Sequence, residues 1–433
     1  MGPEVVGIIG IVGLIALLFS GISVGIAMAI VGVLGFAFLN GIGPALGLFM
    51  TVPYSTVASY SMSVVPLFML MGQFAFYSGV SKDLYVTANS WLGHFRGGLA
   101  MASIGASAMF AAICGSSPAT TATIGSVALP EMKKFQYNRA FSCASLAAGG
   151  TLGILIPPSV GFIVYGVVAE QSIGKLFLAG IIPGVLLATM YMLAIHLVVK
   201  SNPRLAPRGA HTTLREKIAS LKGTWPMLML FFGIMVGIMG GIFTANEAGA
   251  MGAFGAFLFL LFRRKCTWSN MINCMVETLT ITSMIFLILI GAYLFSYFLT
   301  LSQLPELLVN VLTGLTVPPT VILTALLLMY LVLGCVMDSL CMIVITTPIF
   351  LPVVMQLGVD PIWYGVMMVV AMEQGQITPP VGINLYVITG VAKDVPMHEI
   401  FRYILPYIIT LVIFMFLLIA FPQLSLFLPN LMS

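Results

Sequence analysis

The stretch Cys114-Gly115-Ser116-Ser117-Pro118-Ala119-Thr120 and its later counterpart Gly334-Cys335-Val336-Met337-Asp338-Ser339 place small, polar and helix-breaking residues inside long apolar segments. A second break follows each of them, at Ile156-Pro157-Pro158-Ser159 and at Gly375-Gln376-Ile377-Thr378-Pro379-Pro380-Val381-Gly382. Irregular backbone at membrane depth is tolerated only where it is buried in protein or lines a cavity, because loose polar groups are costly in lipid. These four breaks are therefore the first candidates for a functional site.

The composition is that of a polytopic, all-α membrane protein. Of the 433 residues, 60% are hydrophobic and only 7% are charged, which is too apolar for a water-soluble fold. No phosphate-binding loop is present, and nothing in the charge pattern indicates nucleic acid. Apolar segments are predicted at 4–20, 22–40, 62–79, 98–130, 138–152, 159–169 and 175–199, and again at 225–241, 243–262, 281–300, 319–357, 362–391 and 400–421.

The second half of the chain repeats the order of the first half. Pro157-Pro158 precedes Pro379-Pro380 by 222 positions, and Cys114 precedes Cys335 by 221, which places Asp338 opposite Ser117. Matching glycines are expected by chance in a chain with 44 glycines, but two proline pairs at matching positions are not. We therefore interpret the two halves as a duplication. The predicted organisation is repeat 1 at 1–199, with a re-entrant hairpin at 98–130 and a broken helix at 138–169; a cytoplasmic linker at 200–223; and repeat 2 at 224–433, with a hairpin at 319–357 and a broken helix at 362–391.

The basic residues predict how the two repeats are oriented, since cytoplasmic loops collect Lys and Arg. With the amino terminus outside and five spans per repeat, one of them discontinuous, 16 of the 17 basic residues fall inside. Only Lys175 falls outside. Because five is odd, the repeats are predicted to be inverted, with both termini on the outer side and the hairpin tips meeting near the midplane.

Inverted repeats with broken helices that meet at the midplane are typical of secondary transporters. Hydroxyl and carbonyl oxygens at the breaks are ligands that suit Na⁺ better than a soft metal. The first predicted sodium site comprises Gly115, Ser116, Ser117, Thr120, Gly150, Thr151 and Gly153, and the second comprises Gly334, Asp338, Gly375, Thr378 and Pro379.

A substrate is expected between the two tips. An ionisable side chain at membrane depth is functional by default, which singles out Asp338. Glu373 lies two residues before Gly375, and two interpretations of it stay open: a further sodium ligand or an anchor of the hairpin. Glu277 is interpreted as an interfacial residue. The predicted substrate contacts are Ser116, Pro158, Ser159, Asp338, Pro380 and Asn384.

Taken together, the motifs resemble the large membrane subunit of tripartite ATP-independent periplasmic transporters, within the ion transporter superfamily. The resemblance rests on the runs 115–120, 153–159, 334–338 and 373–385, and it extends over essentially the whole chain. It implies Na⁺-driven import of a small organic anion, such as a carboxylate or an acidic sugar, in the inner membrane of a bacterium. It also implies an elevator motion and two partners, a small four-helix membrane subunit and a soluble periplasmic substrate-binding protein.

Two other interpretations of the same residues stay open at this point. A stand-alone sodium/carboxylate symporter would need no binding protein, although the related symporters carry Ser-Asn-Thr motifs where this chain has Ser116-Ser117-Pro118 and Met337-Asp338-Ser339. A membrane scaffold that transports nothing would use its Ser, Thr and Gly residues for close helix packing. An enzyme is not expected, and the only cofactor expected is Na⁺.

Overall fold

The computed structural model describes residues 2–209, 212–313 and 318–432. Within these ranges the regular structure is helical, apart from one isolated β-bridge between Arg96 and Arg208. The helices of the first half are α1 (Pro3–Phe19), α2 (Val24–Asn40), α3 (Ile42–Val57), α4 (Val64–Ser78), α5 (Val80–Leu92), α6 (Gly98–Cys114), α7 (Ser117–Lys134), α8 (Arg139–Gly150), α9 (Leu152–Leu155), α10 (Val160–Val168) and α11 (Ile173–Ser201).

The second half follows a related order. Its helices are α12 (Leu214–Ser220), α13 (Trp225–Met239), α14 (Ala245–Phe262), α15 (Trp268–Leu301), α16 (Leu304–Thr313), α17 (Pro319–Gly334), α18 (Ser339–Gln356), α19 (Pro361–Gln376), α20 (Ile383–Ala392), α21 (Met397–Ala420) and α22 (Gln423–Asn430). Short 3₁₀ turns lie at Tyr60–Ser63, Pro203–Leu205 and Leu221–Gly223.

Many of these helices can cross a membrane. In the described part of the chain, six helical segments have the necessary length and apolar composition, and two bent pairs raise the number to eight if each pair is one span. Shorter apolar helices of 10–17 residues accompany them. The predicted all-α polytopic fold is therefore confirmed, while the number of five spans per repeat stays a prediction.

Each segment predicted as a hairpin or a broken helix is divided into separate helices in the structure. The re-entrant course of the hairpins in a membrane stays a prediction. Helix α6 packs against α7, and α17 packs against α18. The α8–α9 segment meets α10 at a bend of 41° where Pro157-Pro158 interrupts the chain. Residues 377–382, which include Pro379-Pro380, separate α19 from α20 in the same way. Proline supplies no amide hydrogen, so the helical hydrogen-bond ladder stops at each pair.

Helix contacts between the two halves come in reciprocal pairs. Helix α2 packs against α15, and its counterpart α14 packs against α4. Helix α7 of the first hairpin contacts α20, just as α18 of the second hairpin contacts α10. Helix α8 contacts α21, and α19 contacts α11. This reciprocity supports the predicted relation between the repeats; their inversion stays a prediction.

Several basic segments meet at one end of the helices. Arg263 is paired with Asp83, and Arg139 is paired with Asp394. The linker joins the same region, because the backbone N–H of Gly209 donates to the carbonyl of Gly93 at 3.1 Å. This arrangement accords with one common basic face.

Hydropathy alone did not predict all the helices. Helices α3, α5, α12, α16 and α22 lie outside the predicted apolar segments. Helix α5 carries charged residues in its first turns, so an apolar scan passes over it. Helix α15 has 34 residues and begins at Trp268, although the prediction began at 281, because polar residues interrupt its first half.

Candidate functional site

A cavity of about 580 Å³ lies where the two hairpin tips face helices α4 and α15. The first tip contributes Ser116 and Ser117, and the second tip contributes Asp338 and Ser339. Pockets for small ligands commonly have volumes of roughly 300–1,000 Å³. The cavity is therefore large enough for a small organic molecule, and both predicted tips line it.

The first tip is seated directly on the Pro157-Pro158 break. Gly115 adopts a left-handed conformation with φ +65°, and its carbonyl accepts a hydrogen bond from the N–H of Val160 at 3.3 Å. A Cβ atom at Gly115 would lie 2.9 Å from the carbonyl oxygen of Pro158. Only glycine combines this backbone conformation with so close an approach.

The predicted first sodium residues lie together around this tip, with one exception. A Cβ atom at Gly153 would lie 2.5 Å from the carbonyl oxygen of Ser116 and 2.7 Å from Thr120 Oγ1. Gly150 is equally close to the same helix, since its Cβ would overlap Thr121 Oγ1. The exception is Thr151, whose hydroxyl donates to the Ala148 carbonyl at 2.7 Å and therefore does not point to the tip.

The second tip is built on a glycine contact. A Cβ atom at Gly375 would lie 2.6 Å from Gly334 Cα, so α17 and α19 touch through their backbones there. Asp338 caps α18 and accepts a hydrogen bond from the N–H of Leu340 at 3.0 Å. Thr378 donates its hydroxyl to the Gln374 carbonyl at 2.6 Å, and Pro379 is half-buried.

The two tips differ in length, which corrects the pairing of Asp338 with Ser117. Two residues connect α6 to α7, but four residues, 335–338, connect α17 to α18. Ser116 and Asp338 are the N-caps, and Ser117 and Ser339 are the first residues of the second hairpin helices. A constant offset of 221 cannot hold across tips of unequal length, so Asp338 corresponds to Ser116.

Glu373 of α19 connects the two tips. Its Oε2 accepts a hydrogen bond from Ser117 Oγ at 2.6 Å, and its Oε1 accepts one from Ser339 Oγ at 3.1 Å. Each serine in turn accepts a hydrogen bond from an amide side chain: Asn384 Nδ2 donates to Ser117 at 2.8 Å, and Gln376 Nε2 donates to Ser339 at 2.6 Å. All five side chains are buried.

The opposite wall of the cavity comes from α4 and α15. Gln73 and Glu277 line it, and the hydroxyl of Tyr77 donates to Glu277 at 2.7 Å. Three carboxyl groups, those of Glu277, Asp338 and Glu373, therefore line the cavity, and none of the described residues that line it is Lys or Arg. An anion in this cavity would have to rely on hydroxyl groups, helix amino ends and bound cations.

Comparison with known proteins identifies the family. The family model described as "Tripartite ATP-independent periplasmic transporter, DctM component" matches residues 11–424. The chain belongs to this family. It is 40% identical to the C4-dicarboxylate TRAP transporter large permease protein DctM of Pseudomonas aeruginosa, over 87% of this chain and 88% of that relative. It is 31% identical to the sialic acid TRAP transporter large permease protein SiaM of Vibrio cholerae, over 96% and 97%.

A third relative has a different substrate in its name. The isethionate TRAP transporter permease protein DctMQ of Oleidesulfovibrio alaskensis is 36% identical over 82% of this chain and 56% of that relative. Among solved structures, the YdaH transporter of Alcanivorax borkumensis is similar in fold, with a TM-score of 0.66 and 18% identity over 89% of this chain and 90% of that chain. The family resemblance predicted from the motifs is thus confirmed.

The predicted substrate residues of this TRAP permease occupy unequal positions. Ser116 and Asp338 line the cavity. Ser159 is buried and caps α10: it accepts from the N–H of Phe162 and donates to the Ile154 carbonyl. Asn384 lies behind Ser117, while Pro158 packs under Gly115 and Pro380 is exposed. Direct substrate contact by all six residues stays a prediction.

Sequence reasoning missed part of the site. It assigned no role to Ser339 or Gln376, and it interpreted Glu277 as interfacial, whereas all three line the cavity. Within the described ranges, no group of three or more His, Cys, Asp or Glu could hold a metal ion. The donor set at the tips consists of hydroxyl, amide, carboxyl and carbonyl oxygens, which is a set suited to Na⁺.

Proposed function

We propose that this TRAP permease imports a small organic anion, driven by Na⁺, with the anion held between the two hairpin tips. The observation that carries the proposal is the meeting of both tips at one cavity, where Glu373 accepts hydrogen bonds from a serine of each tip. Because Glu373 contacts both hairpins, a ligand bound at one hairpin can change the affinity of the other hairpin for a second ligand. That is the physical requirement for coupling two ligands.

The charge of the site supports Na⁺ as the coupling ion. Asp338 and Glu373 are both in the cavity wall, and no basic side chain lines the described part of it. Adding an organic anion beside these carboxyl groups is unfavourable unless cations enter as well. The proposed sodium ligands are those predicted at each tip, with the hydroxyl of Thr151 as the weakest member of the first set.

The substrate class rests on charge and on the relatives. The relatives described above carry C4-dicarboxylate, sialic acid and isethionate in their names. The helix amino ends at Ser117 and Ser339 face the cavity and favour an anionic group there. An anionic organic acid is therefore the proposed substrate, delivered by a periplasmic binding protein to this subunit and its small membrane partner.

An elevator motion is proposed for the translocation step. The hairpins contact the broken helices, and these elements form one packed group. Helices α2, α4, α14 and α15 pack against one another in a second group, and α4 and α15 form the opposite wall of the cavity. A sliding contact between the two groups would carry the tips across the membrane. We place both termini on the periplasmic side of the inner membrane.

Purified protein in liposomes would test the proposal. The permease, with its small subunit, should take up labelled succinate, isethionate or N-acetylneuraminate only with an inward Na⁺ gradient and the cognate binding protein. Replacing Na⁺ by K⁺ should abolish uptake. Uptake that requires Na⁺ but no binding protein would favour the stand-alone symporter, and absence of flux for all three anions would contradict transport of this substrate class.

A further inference from the structure

The two serines that flank Glu373 have a fixed hydrogen-bonding capacity. A serine hydroxyl has one proton to donate. Ser117 accepts from Asn384 and donates to Glu373, and Ser339 accepts from Gln376 and donates to the same carboxyl group. Each hydroxyl proton therefore has one acceptor, and in both cases that acceptor is Glu373.

These two protons are also well placed to bind an anion. Ser117 and Ser339 begin α7 and α18, where the helix dipole favours negative charge. Both serines line the cavity, and so does Glu373. A carboxylate that entered from the cavity and reached for the donors of both tips would find them already occupied by a carboxyl group of the protein itself.

We infer that Glu373 is a built-in competitor of the substrate, which must displace it from Ser117 and Ser339 in order to bind. The inference rests on the proposed function, because it requires an anionic substrate between the tips. Glu373 is in this view a positioning residue that lowers the affinity for the anion. Loose binding favours release, and a site with neutral neighbours would hold the anion more tightly.

A purely structural role for Glu373 predicts the opposite result. If the carboxyl group only held the two tips together, its loss would separate Ser117 from Ser339 and weaken anion binding. The sign of the change in affinity therefore distinguishes the two roles. It does so without any assumption about how the rest of the transport cycle proceeds.

The experiment uses Glu373→Met and Glu373→Gln in the full-length permease with its small subunit. Binding of labelled succinate, isethionate and N-acetylneuraminate is measured at saturating Na⁺. Glu373→Met removes both acceptor oxygens, so both hydroxyl protons become available to the anion. The dissociation constant of the anion that wild type binds should fall about tenfold or more, which is the value of one hydrogen bond to a charged group. Glu373→Gln keeps one acceptor oxygen and should give a smaller decrease.

Glu277→Gln is the matched control. It removes a carboxylate from the same cavity, but Glu277 bonds to Tyr77 and to neither serine. Equal tightening in Glu277→Gln and Glu373→Met would overturn the inference, because a general loss of negative charge would then explain the effect. Unchanged or weaker binding in both Glu373 variants would overturn it as well.

Thermal melting gives a second readout that covers loss of stability. Glu373→Met leaves two buried hydroxyl groups without acceptors, so the ligand-free melting temperature should decrease. The further rise on adding anion should exceed that of wild type, because tighter binding stabilises more. A lower melting temperature with no larger rise supports the structural role instead. If wild type bound none of the three anions in Na⁺, the proposed function and this inference would both be wrong.

Discussion

The contact between Gly334 and Gly375 fixes how closely α17 approaches α19 beside Asp338. A Cβ atom added at Gly375 would lie 2.6 Å from Gly334 Cα and 2.7 Å from the Leu331 carbonyl oxygen. Ordinary contacts begin at 3.4 Å, so Gly375→Ala must open the pair by roughly 0.8 Å. Backbone atoms on both sides cannot rotate away. Overpacking of this kind typically costs about 1–3 kcal/mol.

We therefore expect Gly375→Ala to lower the melting temperature by several degrees and to raise the Na⁺ concentration needed for half-maximal uptake. The second effect follows because moving α17 displaces Asp338 relative to Glu373. Gly233→Ala in α13 is the matched control, since a Cβ there has nothing within 4 Å. Melting in detergent and Na⁺ titration of uptake in liposomes measure the two effects. Equal melting temperatures for the two variants would refute the packing argument.

Two further predictions concern buried and accessible groups. Ser145→Ala should destabilise the protein by about 1–3 kcal/mol, because it leaves the buried Tyr407 hydroxyl without its partner at 2.7 Å. Tyr407→Phe should cost less, about 0.5–1.5 kcal/mol, because Ser145 keeps its hydrogen bond to the Phe141 carbonyl. Chemical denaturation that ranked the two variants in the opposite order would contradict this prediction. Cys114 and Cys341 line the cavity, so a small maleimide should react with them before it reacts with the fully buried Cys143. Added anion and Na⁺ should slow the labelling of Cys114 and Cys341, and mass spectrometry that finds Cys143 labelled first would contradict the cavity assignment.

The breaks in the sequence predicted the hairpins because glycine and proline act locally. Gly115 and the two proline pairs interrupt helices through their own backbone properties, so no knowledge of neighbours was required. The same local reasoning found Asp338, whose charge is unusual at membrane depth. It missed α5 and the first half of α15, because polar residues there lower the apolar content of the sequence, although some of them, such as Thr87, Thr278 and Thr282, are buried in the fold.

The role of Glu373 could not be predicted in the same way. Its partner Ser117 lies 256 positions away, and the contact exists only after both tips have met. The pairing of Asp338 with Ser117 was wrong for a related reason. A repeat offset read from Cys114 and Cys335 assumes tips of equal length, and the second tip is two residues longer.

Na⁺ titration of uptake by Asp338→Asn and Ser116→Ala tests most directly whether the two tips form one coupled site. These are the equivalent N-cap positions of the two hairpins, and both side chains line the cavity. Each substitution should raise the half-saturating Na⁺ concentration and reduce the cooperativity of the Na⁺ dependence, with the larger effect for Asp338→Asn because it removes a charge. Folded variants with wild-type Na⁺ curves would contradict the assignment of Na⁺ to the tips.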